Sequence, residues 1–140
     1  MQSMWVIGIQ LAAWGGFSSN ANAASASDLY EAMEVDSADV TTAAISGFST
    51  AYDTTTALGV FLPEMGSDMT ILHTGVVGSS PESGTDLGSY GPTDDRTTLT
   101  LELTVPSTAN SFSLSFAFFS AEYPEWVGSL YNDAFELNIV

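Results

Sequence analysis

Two stretches in the second half of the chain alternate strictly between apolar and polar positions. Residues 97–105 have the sequence TTLTLELTV and residues 111–119 have the sequence SFSLSFAFF. A period of two residues predicts strands with one buried face and one exposed face. Residues 106–110, PSTAN, are typical of a turn, so we expect the two strands to form an antiparallel pair.

Other segments predict further strands and one helix. Short apolar or β-branched runs, several bounded by Gly or Pro, predict strands at residues 40–45, 57–62, 69–73 and 135–139. Asp28, with Glu31 three residues later, resembles a capping pair and predicts a short helix near residues 28–34. Together these elements predict an all-β fold: an antiparallel, jelly-roll-like β-sandwich with one short N-terminal helix.

The N-terminal region has the pattern of an export signal. Residues 4–17 are almost entirely apolar, and the run is too short to span a bilayer comfortably. Ala21 and Ala23 form the small-residue pattern that signal peptidase accepts. The sequence therefore predicts a signal peptide over 1–23 and a single β-sandwich domain over 24–140. A buried N-terminal helix of the domain is the alternative.

Both ends of the sequence leave a question open. No Lys or Arg precedes the apolar run, so the natural leader could begin upstream of Met1. The alternation of the last strand stops at Val140 with no turn after it. Either that strand ends at the terminus, or the domain is truncated and its last strands lie beyond residue 140.

The charge balance excludes several classes of partner. The 140 residues include 1 Lys or Arg and 17 Asp or Glu, for a formal net charge of -16. A chain with one cationic side chain cannot neutralise a row of phosphates, so we expect no nucleic-acid binding. Calcium and cationic partners remain compatible. The absence of Cys excludes disulfides and thiol catalysis.

The most distinctive segment is FFSAEYPEWVGSLYNDAF at residues 118–135. It follows DRTTLTLELTVP at residues 95–106, and LGVF at residues 58–61 lies further upstream. This arrangement resembles the signature of the bacterial choice-of-anchor secreted domains, type L. The resemblance implies an exported, surface-displayed β domain with no established enzymatic activity, in a family whose members carry differing C-terminal anchors.

Acidic and amide side chains in this segment predict a calcium site. Glu122 and Glu125 follow one predicted strand, Asn132 and Asp133 precede the next, and Asp95 stands before a third. If these strands are neighbours, the oxygens converge at one rim, and calcium takes about 6–8 oxygen ligands. The alternative is that Asn132 and Asp133 form an ordinary turn through their own backbone. Both interpretations stay open.

Three aromatic residues flank the same loop. Tyr123, Trp126 and Tyr131 could stack against a sugar ring, as in carbohydrate-binding modules, or could fill the end of the sandwich. Packing is the commoner fate of large aromatic side chains, so the ligand-binding role is the less favoured of the two.

The sequence predicts no catalytic function. Glu122 and Asp133 could act as a glycosidase carboxylate pair, but a domain this small leaves little room for a cleft. His73 is the one histidine, and a structural role suits its place at the end of a predicted strand. No nucleophile elbow, phosphate loop or zinc-protease motif is present in the sequence.

These inferences predict a secreted or cell-surface interaction or structural module, stabilised by calcium. The alternatives are a carbohydrate-binding module and a structural subunit of an extracellular assembly. In the assembly, an open sheet edge would accept a strand from a neighbouring copy. We expect no integral membrane span after processing, and a glycan or a neighbouring surface protein as the partner.

Overall fold

The computed structural model describes residues 4–10, 24–74, 96–120, 128 and 134–140, and of residues 4–10 it describes the backbone. Over these ranges the elements are β1 (Met4–Gln10), α1 (Ala26–Ala32), β2 (Val40–Ser46), β3 (Tyr52–Thr55), β4 (Met69–Leu72), β5 (Thr98–Thr104) and β6 (Glu136–Ile139). Within these ranges the regular elements are therefore strands apart from one short helix, and every strand pair is antiparallel. This confirms the predicted all-β class. Across the described ranges, no helix has both the length and the apolar content needed to cross a membrane.

The larger sheet has four strands in the order β2-β5-β1-β6. Its central strand, β5, has the predicted alternation: Leu99 and Leu101 are fully buried, whereas the intervening threonines are partly exposed. Leu101 stands opposite Ala43 of β2 on one side and opposite Ile7 of β1 on the other. Both edges of β5 are therefore hydrogen-bonded to neighbouring strands.

The predicted pairing of 97–105 with 111–119 is wrong in this structure. Residues 111–119 form no strand, and Phe112, Phe116 and Phe118 are 44%, 58% and 38% exposed. The reason is competition for one edge, because β1 occupies the side of β5 that the hairpin needs. The alternative of an N-terminal helix is also wrong, because residues 4–10 form a strand.

The short helix begins earlier than predicted. Ser25 is its N-cap, and its hydroxyl accepts a hydrogen bond from the backbone N–H of Asp28, at 3.2 Å. The Asp28 carboxylate in turn accepts one from the backbone N–H of Ser25, at 2.7 Å. This reciprocal pair is a capping box, so Asp28 is the third helical residue and not the cap itself.

The smaller sheet pairs β3 with β4. Strand β4 confirms the prediction for residues 69–73, as β2 and β6 confirm those for 40–45 and 135–139. The strand predicted at 57–62 is wrong. Leu58 and Phe61 instead exchange backbone hydrogen bonds of 2.9 and 3.0 Å across a tight turn, and Gly59 has a φ of 61° there.

The core lies where α1, β4 and β5 meet. Leu29 and Tyr30 come from the helix, Leu72 from β4, and Leu99 and Leu101 from β5. Side chains from separate parts of the chain thus bury one another, and the burial of each apolar side chain contributes about 1.5–3 kcal/mol.

A polar contact joins the two sheets beside this core. The backbone N–H of His73 donates to the carbonyl of Ala51, and the His73 carbonyl accepts from the Thr97 hydroxyl, both at 2.7 Å. His73 and Thr97 are both buried. The end of β4 is therefore held to the start of β3 and to the start of β5.

Candidate functional site

The site residues predicted from the sequence lie outside the described residues. They are Asp95, Glu122, Glu125, Asn132 and Asp133 for calcium, and Tyr123, Trp126 and Tyr131 for a ligand. Within the ranges that the structure does describe, no three acidic or histidine side chains come together in a way that could hold a metal ion. The calcium and sugar sites therefore stay predictions.

The described residues enclose a different candidate site, a cleft of about 610 Å³. One wall is formed by the C-terminal end of α1, by β4 and by residues 58–66, which we call the lip loop. A second wall is part of residues 111–119, which we call the phenylalanine segment. The cleft thus includes residues from 57–62 and 111–119, two segments for which the sequence predicts strands and the structure has none.

The lip loop presents large apolar side chains to solvent. Its tight turn at Leu58–Phe61 reverses the chain, and residues 62–68 after the turn form no strand. Leu62 is 70% exposed and Met65 is 68% exposed, and both line the cleft. Large apolar side chains that are exposed around one cleft are typical of a surface that binds a partner.

Aromatic contacts connect the walls of the cleft. The ring of Phe119 meets that of Phe61 edge-on, with centroids 5.2 Å apart and an interplanar angle of 70°. Phe116 is also in the lining, and its ring lies 4.4 Å from that of Phe135, just before β6. Edge-to-face and tilted arrangements are the favoured geometries of such pairs. The phenylalanine segment is therefore positioned by contacts with both the lip loop and the sheet.

Carboxylates add negative charge to the apolar cleft. Glu34, Glu64 and Asp68 belong to its lining, and both glutamates are exposed. The Ser67 hydroxyl donates to Oδ2 of Asp68 at 2.6 Å. The cleft therefore combines an apolar surface with three acidic groups, which suits a ligand that is partly apolar and positively charged.

Glu34 is positioned by the way α1 ends. The backbone N–H of Glu34 donates to Glu31 at 2.9 Å, and that of Val35 donates to Tyr30 at 3.1 Å. This is a Schellman motif, and it places Glu34 in the left-handed region with a φ of 58°. The helix end thus turns the chain toward the lip loop, where the Glu34 carboxylate meets Gly66.

The sequence does not reveal this cleft, because the apolar run at residues 57–62 predicts a strand there. The signal that could have indicated a loop is the spacing of Gly59, Pro63 and Gly66, three residues that favour turns, within eight positions. The presence of Leu62 and Met65 among those turn residues would then have indicated an exposed apolar loop.

Comparisons of the chain with family models, with curated proteins and with solved structures give no match.

Proposed function

We propose that this chain is an exported, non-catalytic interaction module that binds a cationic, partly apolar peptide segment of a partner at the cleft. The observation that supports this most directly is the exposure of Leu62 and Met65 beside the carboxylates of Glu34 and Glu64. Apolar side chains supply affinity when they leave water, and carboxylates select for a positively charged partner.

The net charge of the chain favours a cationic partner over a second copy. At a formal charge of -16, two copies repel each other, whereas Lys or Arg side chains of a partner are attracted. Arg96, the one cationic side chain that carries permanent charge, is not in the lining of the cleft. The cleft therefore offers acceptors for cations without a competing cation of its own.

Export and the finer fold belong to the same proposal. We propose that residues 1–23 are a leader removed after Ala23, and that 24–140 form a jelly-roll-like β-sandwich. The packing of α1 and the β3–β4 pair against β5 is compatible with two layers. The resemblance of residues 118–135 to the type L choice-of-anchor domains supports display at the cell surface.

Calcium stabilisation is a separate part of the proposal, carried by the acidic oxygens at residues 122–133 and by Asp95. If calcium binds there, a chelator lowers the melting temperature, and Asp133→Ala removes the difference. A melting temperature that is indifferent to chelator contradicts this part alone. The carbohydrate alternative predicts binding to a glycan array that Trp126→Ala abolishes.

The peptide-binding proposal is tested with a synthetic peptide that alternates Lys and Leu. Fluorescence anisotropy measures its binding, and a peptide of equal length that alternates Glu and Leu is the control. We expect binding of the cationic peptide alone. Raising the salt from about 0.05 M to about 0.5 M weakens it, because the screening length then shortens several-fold.

Substitutions in the chain locate the binding surface. Leu62→Ser should weaken binding about tenfold or more, because burial of a leucine contributes about 1.5–3 kcal/mol. The double variant Glu64→Gln/Asp68→Asn should weaken it by about three- to tenfold. The matched control is Glu31→Gln/Glu136→Gln, which removes the same charge at exposed positions outside the lining. Equal losses in both double variants would mean that net charge, and not the cleft, attracts the peptide.

A further inference from the structure

We infer that the phenylalanine segment takes the place of β1 beside β5 once the leader has been removed. The chain would then exchange one strand of its central sheet for another on processing. This inference rests on the proposed leader, because β1 lies within residues 1–23. It goes beyond peptide binding, since it concerns which segment completes the sheet in the mature chain.

The phenylalanine segment has the pattern of a half-buried strand but not the environment of one. Phe112, Leu114, Phe116 and Phe118 occupy every second position, with Ser or Ala between them. The three phenylalanines are between 38% and 58% exposed. Period-two amphipathicity is stabilising when one face is covered by a core, and the exposure of these phenylalanines shows that this face is covered only in part.

The direction of β1 matches the direction that a hairpin would give the phenylalanine segment. β1 is antiparallel to both β5 and β6. A chain that leaves β5 and reverses at the turn 106–109 also returns antiparallel to β5. The phenylalanine segment can therefore fill the same position between β5 and β6 without reversing either neighbour.

The turn that such a hairpin needs is already formed. The backbone N–H of Ala109 donates to the carbonyl of Pro106 at 2.9 Å. A four-residue loop over 106–109, built around this turn, places Val105 opposite Asn110. Counting outward from that pair gives the register Leu103 with Phe112, Leu101 with Leu114, and Leu99 with Phe116.

This register aligns apolar positions with apolar positions. In the present sheet the same three leucines of β5 stand opposite Trp5, Ile7 and Ile9 of β1. Directly opposite residues of an antiparallel pair lie on the same face of the sheet. The phenylalanine segment would thus place large apolar residues at the three register positions that β1 occupies now. A register shifted by one residue would place serines there.

The phenylalanine segment also lies close to its proposed position. Leu114 is half-buried and packs against the core cluster that contains Leu99 and Leu101. The Phe116 ring contacts that of Phe135, which precedes β6. In the proposed register Phe118 would replace Phe116 as the neighbour of Phe135. The exchange therefore moves the segment by about two residues along β6.

The exchange would open the cleft. The phenylalanine segment forms one of its walls, and the other wall carries Leu62, Met65 and the carboxylates. Moving the segment into the sheet leaves that second wall uncovered. A leader-bearing chain would therefore present a narrower binding surface than the processed chain.

Hydrogen exchange of the backbone amides tests the inference. The full chain is compared with the chain processed during export, whose new N-terminus is established by mass spectrometry. We expect amides of residues 111–119 to exchange rapidly in the full chain and about 100-fold more slowly in the processed chain. Unchanged exchange of these amides in the processed chain would overturn the inference, and an uncleaved leader would overturn its link to processing.

A substitution in the full chain tests the exchange without processing. Ile7→Pro removes a backbone donor from β1, which is central in the sheet and tolerates proline poorly. The backbone amides of residues 111–119 should exchange more slowly in this variant, although the leader remains. If Ile7→Pro abolishes the protection of the β5 amides, the variant is unfolded. The exchange of residues 111–119 in the processed chain then tests the inference.

Two further variants identify which segment lies between β5 and β6 in the processed chain. In the processed chain, Ser115→Pro should abolish the new protection, whereas Ser115→Ala, which keeps the backbone donor, should preserve it. Protection that rises with protein concentration together with a dimer in size-exclusion chromatography would mean that a second copy supplies the strand, which overturns the inference. Peptide binding is measured separately. Its loss through Leu62→Ser supports the binding proposal alone, and retained binding in that variant contradicts the binding proposal alone.

Discussion

The carboxylate of Glu34 lies directly against the backbone of Gly66. A Cβ added to residue 66 would overlap with Oε1 of Glu34, and Gly66 has a φ of 68°. The end of α1 and the lip loop therefore meet at a position that admits no side chain without movement. This contact determines where one of the acidic groups of the cleft lies.

Gly66→Ala should destabilise the fold by about 1–2 kcal/mol. Roughly 1 kcal/mol comes from the left-handed backbone, and the remainder from displacement of the Glu34 carboxylate. Gly59→Ala is the matched control, because Gly59 has a φ of 61° and no atom within 4 Å of an added Cβ. Urea unfolding measures both. Equal losses would show that the Glu34 contact adds nothing to the cost of the backbone strain.

Glu34→Gly should stabilise the fold by about 0.5–1 kcal/mol. Position 34 is the left-handed residue of the Schellman motif, where glycine avoids a steric cost that glutamate has. Glu31→Gly is the control, since within α1 the same replacement costs about 1 kcal/mol. Thermal melting of the two variants should shift in opposite directions. A fall in both would mean that the Glu34 side chain stabilises the lip loop by more than the backbone strain costs.

Ser25→Ala should destabilise the chain by about 1 kcal/mol, because it removes the N-cap of α1. The hydrogen bonds from the hydroxyl and the backbone N–H of Ser25 also hold the pKa of the Asp28 carboxyl below its ordinary value of 3.8. A lowered pKa means that this stabilisation is complete above the ordinary value and is lost as the pH falls through the lowered one.

The pH dependence separates the cap from other effects of the substitution. The difference in melting temperature between the wild-type chain and Ser25→Ala should be largest near neutral pH and should shrink below pH about 4. Asp28→Asn should show a similarly weakened dependence, because it removes the carboxylate that accepts the hydrogen bonds from Ser25. A difference that stays constant from neutral pH to pH 3 would contradict the reciprocal capping box.

Leu72→Ala should destabilise the fold by about 2–5 kcal/mol, the range for truncation of a fully buried leucine. Leu72 lies in the cluster where α1, β4 and β5 meet, so its loss leaves a cavity among three elements. Val60→Ala removes apolar atoms at a position that is 90% exposed, and it should change stability by less than about 0.5 kcal/mol. Chemical denaturation compares the two, and similar losses would place the core elsewhere.

Alternation along the chain was sufficient to predict β5 and its buried leucines, and the neighbouring prediction failed for a definite reason. Period two determines which face of a strand is buried, but it does not determine which segment pairs with that strand. Residues 4–10 and 111–119 both fit the edge of β5, and β1 occupies it in this structure. The strand predicted at 57–62 failed because Gly59 allows a tight turn that an apolar run alone does not reveal.

The predicted calcium site also depends on a strand at residues 111–119. The sequence places Glu122 after a predicted strand at 111–119 and Asp133 before a predicted strand at 135–139. Only the second of these strands is present in the structure. Convergence of the acidic oxygens therefore could not be deduced from residue spacing, because it requires two neighbouring strands that end at one rim. The cleft was equally hidden from the sequence, since it is formed by parts that are distant along the chain.

The capping box of α1 has a consequence for the maturation of the chain. Cleavage after Ala23 would create a positively charged amino group on Ala24, one residue before the N-cap. A cation there opposes the helix dipole, but the anionic Asp28 is bonded to the adjacent Ser25 and offsets it. The first ordered turn of the mature protein would thus tolerate a newly cut end beside it, and trimming could proceed to this point without unravelling the helix.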